Sequence, residues 1–139
     1  MTSPCPVVHF EMPYRDAERA KRFYAEAFGW QMQQFGPEMG DYILATTATV
    51  DSNAPGAVRG SINGGLFPFK ADWPMQQPSV VMGVDDIRAA MARVTAAGGE
   101  VMGEPMAIPG VGDYVSFVDT EGNRLSMLQP AMGAAPGQG

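Results

Sequence analysis

Asp16-Ala17-Glu18-Arg19-Ala20-Lys21-Arg22-Phe23-Tyr24-Ala25-Glu26-Ala27-Phe28-Gly29 reads as a helix with its own start and stop. Asp86-Ile87-Arg88-Ala89-Ala90-Met91-Ala92-Arg93-Val94-Thr95-Ala96-Ala97-Gly98-Gly99 repeats the plan 70 residues later. Asp16 is an N-cap type whose carboxylate can accept from the first free amides, and Glu18 suits the positive helix start. Ala17, Ala20, Tyr24 and Ala27 recur at helical spacing, widened by Phe23 and Phe28, and Gly29 suits the left-handed residue after the last turn. In the second copy Asp85 or Asp86 is the cap, Ile87, Ala90, Met91, Val94 and Ala97 form the stripe, and Gly98-Gly99 closes it. A strand pattern precedes each helix, and the same offset sets His9 against Ser79. A plan repeated at a fixed period points to two copies of one supersecondary unit.

Outward from the first helix, Val7 to Met12 alternates, with Val8, Phe10 and Met12 on one face and Val7, His9 and Glu11 on the other. Pro13-Tyr14-Arg15 is expected to end that strand. Trp30 to Phe35 and Asp41 to Thr46 read as a hairpin around Gly36-Pro37-Glu38-Met39-Gly40. Residues 47–58 read as a loop. Ser61 to Phe67 is a fourth strand, and its Gly64-Gly65 marks either sheet curvature, the favoured reading, or a close approach to the backbone. Lys70 to Pro78 links the halves. Ser79 to Val84, Glu100 to Ala107, Asp113 to Asp119 and Arg124 to Gln129 are the strands of the second half, with a turn at Thr120-Glu121-Gly122-Asn123. Module one spans about 6–69, module two about 77–130, and together they make one domain over 1–130. Residues 131–139 are small and Gly/Pro-rich and read as a disordered tail.

The chain has 139 residues, a net charge of −6 and one cysteine. No basic stripe could track a phosphate backbone, so nucleic acid is not an expected partner. The acidity favours solubility and mildly attracts cationic or amphipathic ligands. Cys5 has no partner for an internal disulfide, which suits a reducing compartment, and it is a poor nucleophile candidate at the edge of the first strand. No apolar run has the length of a membrane span and no secretory leader is legible, so the expected location is the cytoplasm.

Two βαβββ units with Val8-His9-Phe10-Glu11-Met12, Arg22-Phe23-Tyr24 leading to Phe28-Gly29-Trp30, Val84-Asp85-Asp86-Ile87, Ala96-Ala97-Gly98-Gly99 and Phe117-Val118-Asp119-Thr120-Glu121-Gly122-Asn123-Arg124-Leu125 resemble the vicinal oxygen chelate superfamily. That group includes glyoxalase I, extradiol dioxygenases, fosfomycin-modifying enzymes and bleomycin-resistance proteins. The resemblance implies an α+β fold in which the two modules form one cup-shaped mixed sheet with helices on the outer faces, and a site in the hollow. It also implies a homodimer. Enzymes of the group hold a divalent metal with up to four ligands, commonly His and Glu, from the first and last strands of each module. Those positions fall here on His9, on Asn63 (or Gly64 if the register slips), on Ser79 and on Ser126. Serine hydroxyls are poor ligands and one imidazole cannot hold such an ion alone, so no metal cofactor is expected, although Glu11 and Asn63 could assist His9.

His9 is either a buried, hydrogen-bonded histidine or a ligand-contacting group, and it is the one side chain titrating near neutrality without a large shift. If chemistry occurs, His9 and Glu11 are the acid–base pair; otherwise Glu11 is a solvated rim carboxylate. Phe10, Phe23, Tyr24 and Phe28 are expected in the core. Trp30, Tyr42, Trp73 and Tyr114, with Asn63, Ser79 and Ser126, are the expected ligand-binding lining, alongside Phe67 and Phe69 as further wall or subunit-contact residues. Trp73 could be a lid, an interface anchor or a plug. The expected function is metal-independent binding of a small organic molecule. The alternatives are a lyase, isomerase or dioxygenase-type enzyme using His9 and Glu11, and an interaction module without a small ligand.

Overall fold

The computed structural model describes residues 4–48 and 60–131. Most of the expected loop over 47–58 and nearly all of the expected tail over 131–139 lie outside those residues. The chain divides into two compact units, His9–Pro78 and Ser79 onward, the latter joined by the residues up to Val8.

In the first unit the order is β1 (Val7–Tyr14), α1 (Ala17–Phe28), β2 (Gln31–Gln34), a 3-10 turn (Pro37–Met39), β3 (Ile43–Thr46) and β4 (Asn63–Pro68). Its strands lie in the order β2-β3-β4-β1. β1 and β4 are parallel, with His9 opposite Asn63, Phe10 opposite Gly64 and Glu11 opposite Gly65. β2–β3 and β3–β4 are antiparallel. β1 does not stop at Pro13 as expected. It pairs with β4 through Tyr14, because the fixed φ of proline suits an extended chain and only its missing amide is lost.

Asp16 caps α1 by accepting from the Arg19 amide at 3.0 Å, and Gly29 adopts φ 71° at the other end. Ile43, Ala45 and Leu66 form the buried centre, with Phe10, Met12, Tyr14, Ala17, Ala20, Tyr24, Trp30 and Met32 packed around them. The even-numbered residues of β1 therefore face the helix, and His9 and Glu11 point to the opposite face. Phe23 and Phe28 correct the expected core: they are 55% and 63% exposed. Phe23 lies on the flank of the helical stripe and Phe28 is the last residue of the last turn.

In the second unit β5 (Ser79–Gly83), α2 (Ile87–Ala96), β6 (Glu100–Ile108), β7 (Gly112–Val118) and β8 (Arg124–Pro130) repeat the plan. The strands lie in the order β5-β8-β7-β6. Asp86, not Asp85, is the cap, accepting from the Ala89 amide at 3.1 Å. Val84, Ile87, Ala90, Val115, Phe117 and Met127 make the core under α2. The β7–β8 turn is tied by Asp119, whose carboxylate accepts from the Glu121 and Asn123 amides at 2.8 and 2.9 Å. A bond from the Asn123 side chain, together with these amides, holds that carboxyl below its usual range. The α+β class and the twice-used βαβββ order thus agree with the sequence reading. Among the described residues no helix is long and apolar enough to cross a membrane.

Candidate functional site

The face of the first module away from α1 carries His9 and Glu11 from β1, Asn63 and Gly65 from β4 and Leu44 from β3, by the strand registers. Tyr42 reaches that face from the approach to β3. The turn before it is fixed by Asp41, a non-glycine residue at φ 55°, whose carbonyl accepts from the Tyr14 hydroxyl at 2.7 Å. The Tyr42 hydroxyl lies 2.8 Å from His9 Nε2.

Gly65 makes this geometry possible. A Cβ at Gly65 would stand 1.8 Å from the Tyr42 hydroxyl oxygen, and one at Gly64 would stand 2.4 Å from the Phe10 ring on the other face. The paired glycines admit two aromatic rings, one on each side of β4. The close approach to the β4 backbone is made by the protein's own side chains.

His9 is left half-satisfied. Its Nε2 has Tyr42, but Nδ1 is buried with no hydrogen-bond partner among the described residues. In one tautomer Nδ1 is an N–H without an acceptor, in the other a lone pair without a donor. Burial lowers the imidazole pKa from 6.5 to about 4, since desolvation disfavours the charged form. His9 is accordingly a neutral imidazole at physiological pH.

Asn63, paired with His9, has its side-chain oxygen engaged by the amides of Thr47 and Ala48 at 2.9 and 3.2 Å. It clamps the chain leaving β3. Trp30 is not brought to His9. It lies parallel to Tyr24 at 4.8 Å and against Phe10 at 5.4 Å, within the helix-side packing. Just ahead of β2, Trp30 shares the helix side with Met32. Trp73 is 48% exposed in the linker, with the Lys70 ammonium 4.8 Å from its ring centre. Its carbonyl and the Lys70 backbone are bound by the Gln76 side chain. Phe69 is likewise covered by Arg15, whose guanidinium carbon stands 3.7 Å from the ring centre.

In the second module Ser79 opens β5 and is half-buried. Tyr114 and Ser126 do come together, their hydroxyls 2.7 Å apart, and Ser116, opposite Ser126 in the ladder, adds a hydroxyl at 3.1 Å. The Arg124 guanidinium donates to Ser116 at 3.3 Å. Sequence reading missed Ser116 and Arg124. The signal was the alternation itself, which sets Ser116 on the face of Tyr114 and Arg124 on the face of Ser126.

The donor set does not fit a divalent ion. Of the four positions implied by the resemblance, the Ser126 hydroxyl is taken up by Tyr114 and Ser116, the Asn63 oxygen by two amides, and His9 Nε2 by Tyr42. Ser79 supplies only a neutral hydroxyl. Among the described residues no three His, Cys, Asp or Glu side chains form a group able to hold a metal.

A family model described as the Glyoxalase/Bleomycin resistance protein/Dioxygenase superfamily matches residues 7–127. A glyoxylase-like domain-containing protein of Didymella fabae is 32% identical over 114 residues, covering 81% of this chain and 84% of that protein. A probable lactoylglutathione lyase of Vibrio parahaemolyticus is 25% identical over 131 residues, 93% of this chain and 94% of that one. Among solved structures, methylmalonyl-CoA epimerase of Mycobacterium tuberculosis matches with a TM-score of 0.65 at 16% identity, covering 94% of this chain and 93% of that chain. At that identity the likeness concerns the fold alone.

Proposed function

The chain belongs to the Glyoxalase/Bleomycin resistance protein/Dioxygenase superfamily, and from that membership we propose that it binds a small organic molecule without a metal, on the His9 face of the first module. The observation that carries this reading is the neutral His9 imidazole, with Tyr42 on Nε2 and, among the described residues, no partner on Nδ1. A buried polar atom left unpaired costs about 1–3 kcal/mol. A ligand that bonds to Nδ1 recovers that cost, so the site favours a molecule with a polar group beside an apolar body. The relative named as a lactoylglutathione lyase supports a small organic molecule as the ligand class.

The test is a thermal-shift screen of small polar–apolar molecules on protein stripped with a chelator. Stripping is expected to leave the melting temperature unchanged, and a binder is expected to raise it in the stripped protein as it saturates the folded state. That rise is expected to vanish in Tyr42→Phe and His9→Gln proteins. Purified protein carrying a stoichiometric divalent ion that is lost on His9→Ala would overturn the reading.

A second reading, a lyase, isomerase or dioxygenase-type catalyst, is supported by Glu11 lying two residues from His9 on the same face. It requires turnover that collapses in both His9→Ala and Glu11→Ala variants. Rates indifferent to both changes would remove it.

A further inference from the structure

The ladder between β1 and β4 runs on past its last register pair. Tyr14 stands opposite Pro68, and the Phe69 amide donates to the Tyr14 carbonyl at 2.8 Å. Arg15 therefore leaves β1 beside Phe69, with its guanidinium carbon 3.7 Å from the centre of that ring. Directly after Phe69 the chain turns. The Trp73 amide donates to the Lys70 carbonyl at 3.0 Å, which brings the two ends of a four-residue turn together. The Lys70 ammonium stands 4.8 Å from the Trp73 ring centre. One side chain holds this turn: Gln76 accepts from the Lys70 amide at 2.7 Å and donates to the Lys70 and Trp73 carbonyls.

Two cations, from residues that adjoin Phe69, are thus each set against an aromatic ring. Both are exposed, and neither side chain makes an ion pair or hydrogen bond among the described residues. Contact with a ring face steadies a cation but takes up none of its N–H donors, five on a guanidinium and three on an ammonium. Lys21 and Arg88, by contrast, have carboxylate partners. Asp16, next to Arg15, is committed to the start of α1 through the Arg19 amide. Asp72 is the one acid between residues 67 and 78. Trp73 is 48% exposed, so part of its ring is open to a flat partner. Donors for an oxyanion and a stacking surface therefore sit on one tethered turn.

We propose that Arg15, Lys70 and Trp73 form a binding site for a phosphate monoester carried on an aromatic ring system, the phosphate accepting from both cations and the ring stacking on Trp73. The inference is independent of what the His9 face binds.

Calorimetric titration with adenosine monophosphate tests it, beside adenosine and inorganic phosphate as the two halves of the probe. The nucleotide is expected to saturate the wild-type chain at one per chain, and each half to bind about tenfold more weakly or worse. Arg15→Gln, Lys70→Gln and Trp73→Ala are each expected to weaken the nucleotide by about tenfold, and Asp72→Asn to tighten it. Added salt is expected to weaken it as well. All four positions are exposed, and thermal melts check that each variant is folded. No saturation by the nucleotide, an affinity indifferent to the Arg15 and Lys70 changes, or adenosine binding as tightly as its phosphate would each overturn the proposal. Inorganic phosphate binding as tightly as the nucleotide would overturn the part given to Trp73.

Discussion

Gly65→Ala is expected to destabilise the protein by about 2–3 kcal/mol and to empty the His9 face of its tyrosine. The new methyl carbon would lie 1.8 Å from the Tyr42 hydroxyl oxygen and 2.0 Å from the ring carbon bearing it. No atoms tolerate that separation. The flexible side chain gives way rather than the β4 backbone, so the ring swings out and its bond to His9 is lost. The magnitude combines overpacking with the loss of the bond between Tyr42 and the His9 imidazole. Tyr42→Phe separates the terms: it keeps the ring and drops the bond to His9, at about 1 kcal/mol. Urea denaturation of the two variants beside wild type reads both values. A Gly65→Ala protein as stable as wild type would show that the Tyr42 hydroxyl does not occupy that space.

Stability is also expected to fall as pH drops from 6.5 toward 4, and His9 is the reason. Burial lowers its pKa from 6.5 to about 4 in the folded chain. Between those values the unfolded chain takes up a proton that the folded chain refuses. The unfolded state then binds more protons, so stability rises with pH through this window and is lost as pH falls. Below about 4 both states are protonated and the loss from this group is complete. From pH 6.5 to 5 the loss is about 2 kcal/mol at most. Most carboxylates are still ionised there, and the chain has one histidine, so the slope belongs to His9. His9→Gln, which can still bond Tyr42, is expected to flatten it. An equally steep acid slope in that variant would refute the assignment.

The repeated helix punctuation made the fold legible. Asp16 and Asp86 cap where their residue type says they should, and the alternation of β1 placed Phe10 and Met12 inward and His9 outward. Local chemistry settles such features, so sequence can carry them. The bond between His9 and Tyr42 spans 33 residues and depends on the β1–β4 and β3–β4 registers, which no local pattern states. The role of Gly65 was hidden for the same reason: the sequence shows the missing side chain but not the ring that fills its place. Phe23 and Phe28 were misread because hydrophobicity marks a residue as apolar without saying which flank of the helix carries it. Trp30 lies two residues from Met32 on the helix side, so its ring completes the packing with Tyr24 rather than lining a wall.

In the proposed function His9 is a neutral anchor that takes no metal and keeps one ring nitrogen for a ligand. Nitrogen-15 spectra of the imidazole, recorded at neutral pH before and after one equivalent of zinc, address it most directly, because every histidine signal comes from this residue. The expected result is a neutral ring in one tautomer, unchanged by zinc and protonated only near pH 4. A ring that titrates at its ordinary pH, or nitrogen signals displaced by the stoichiometric ion, would contradict it.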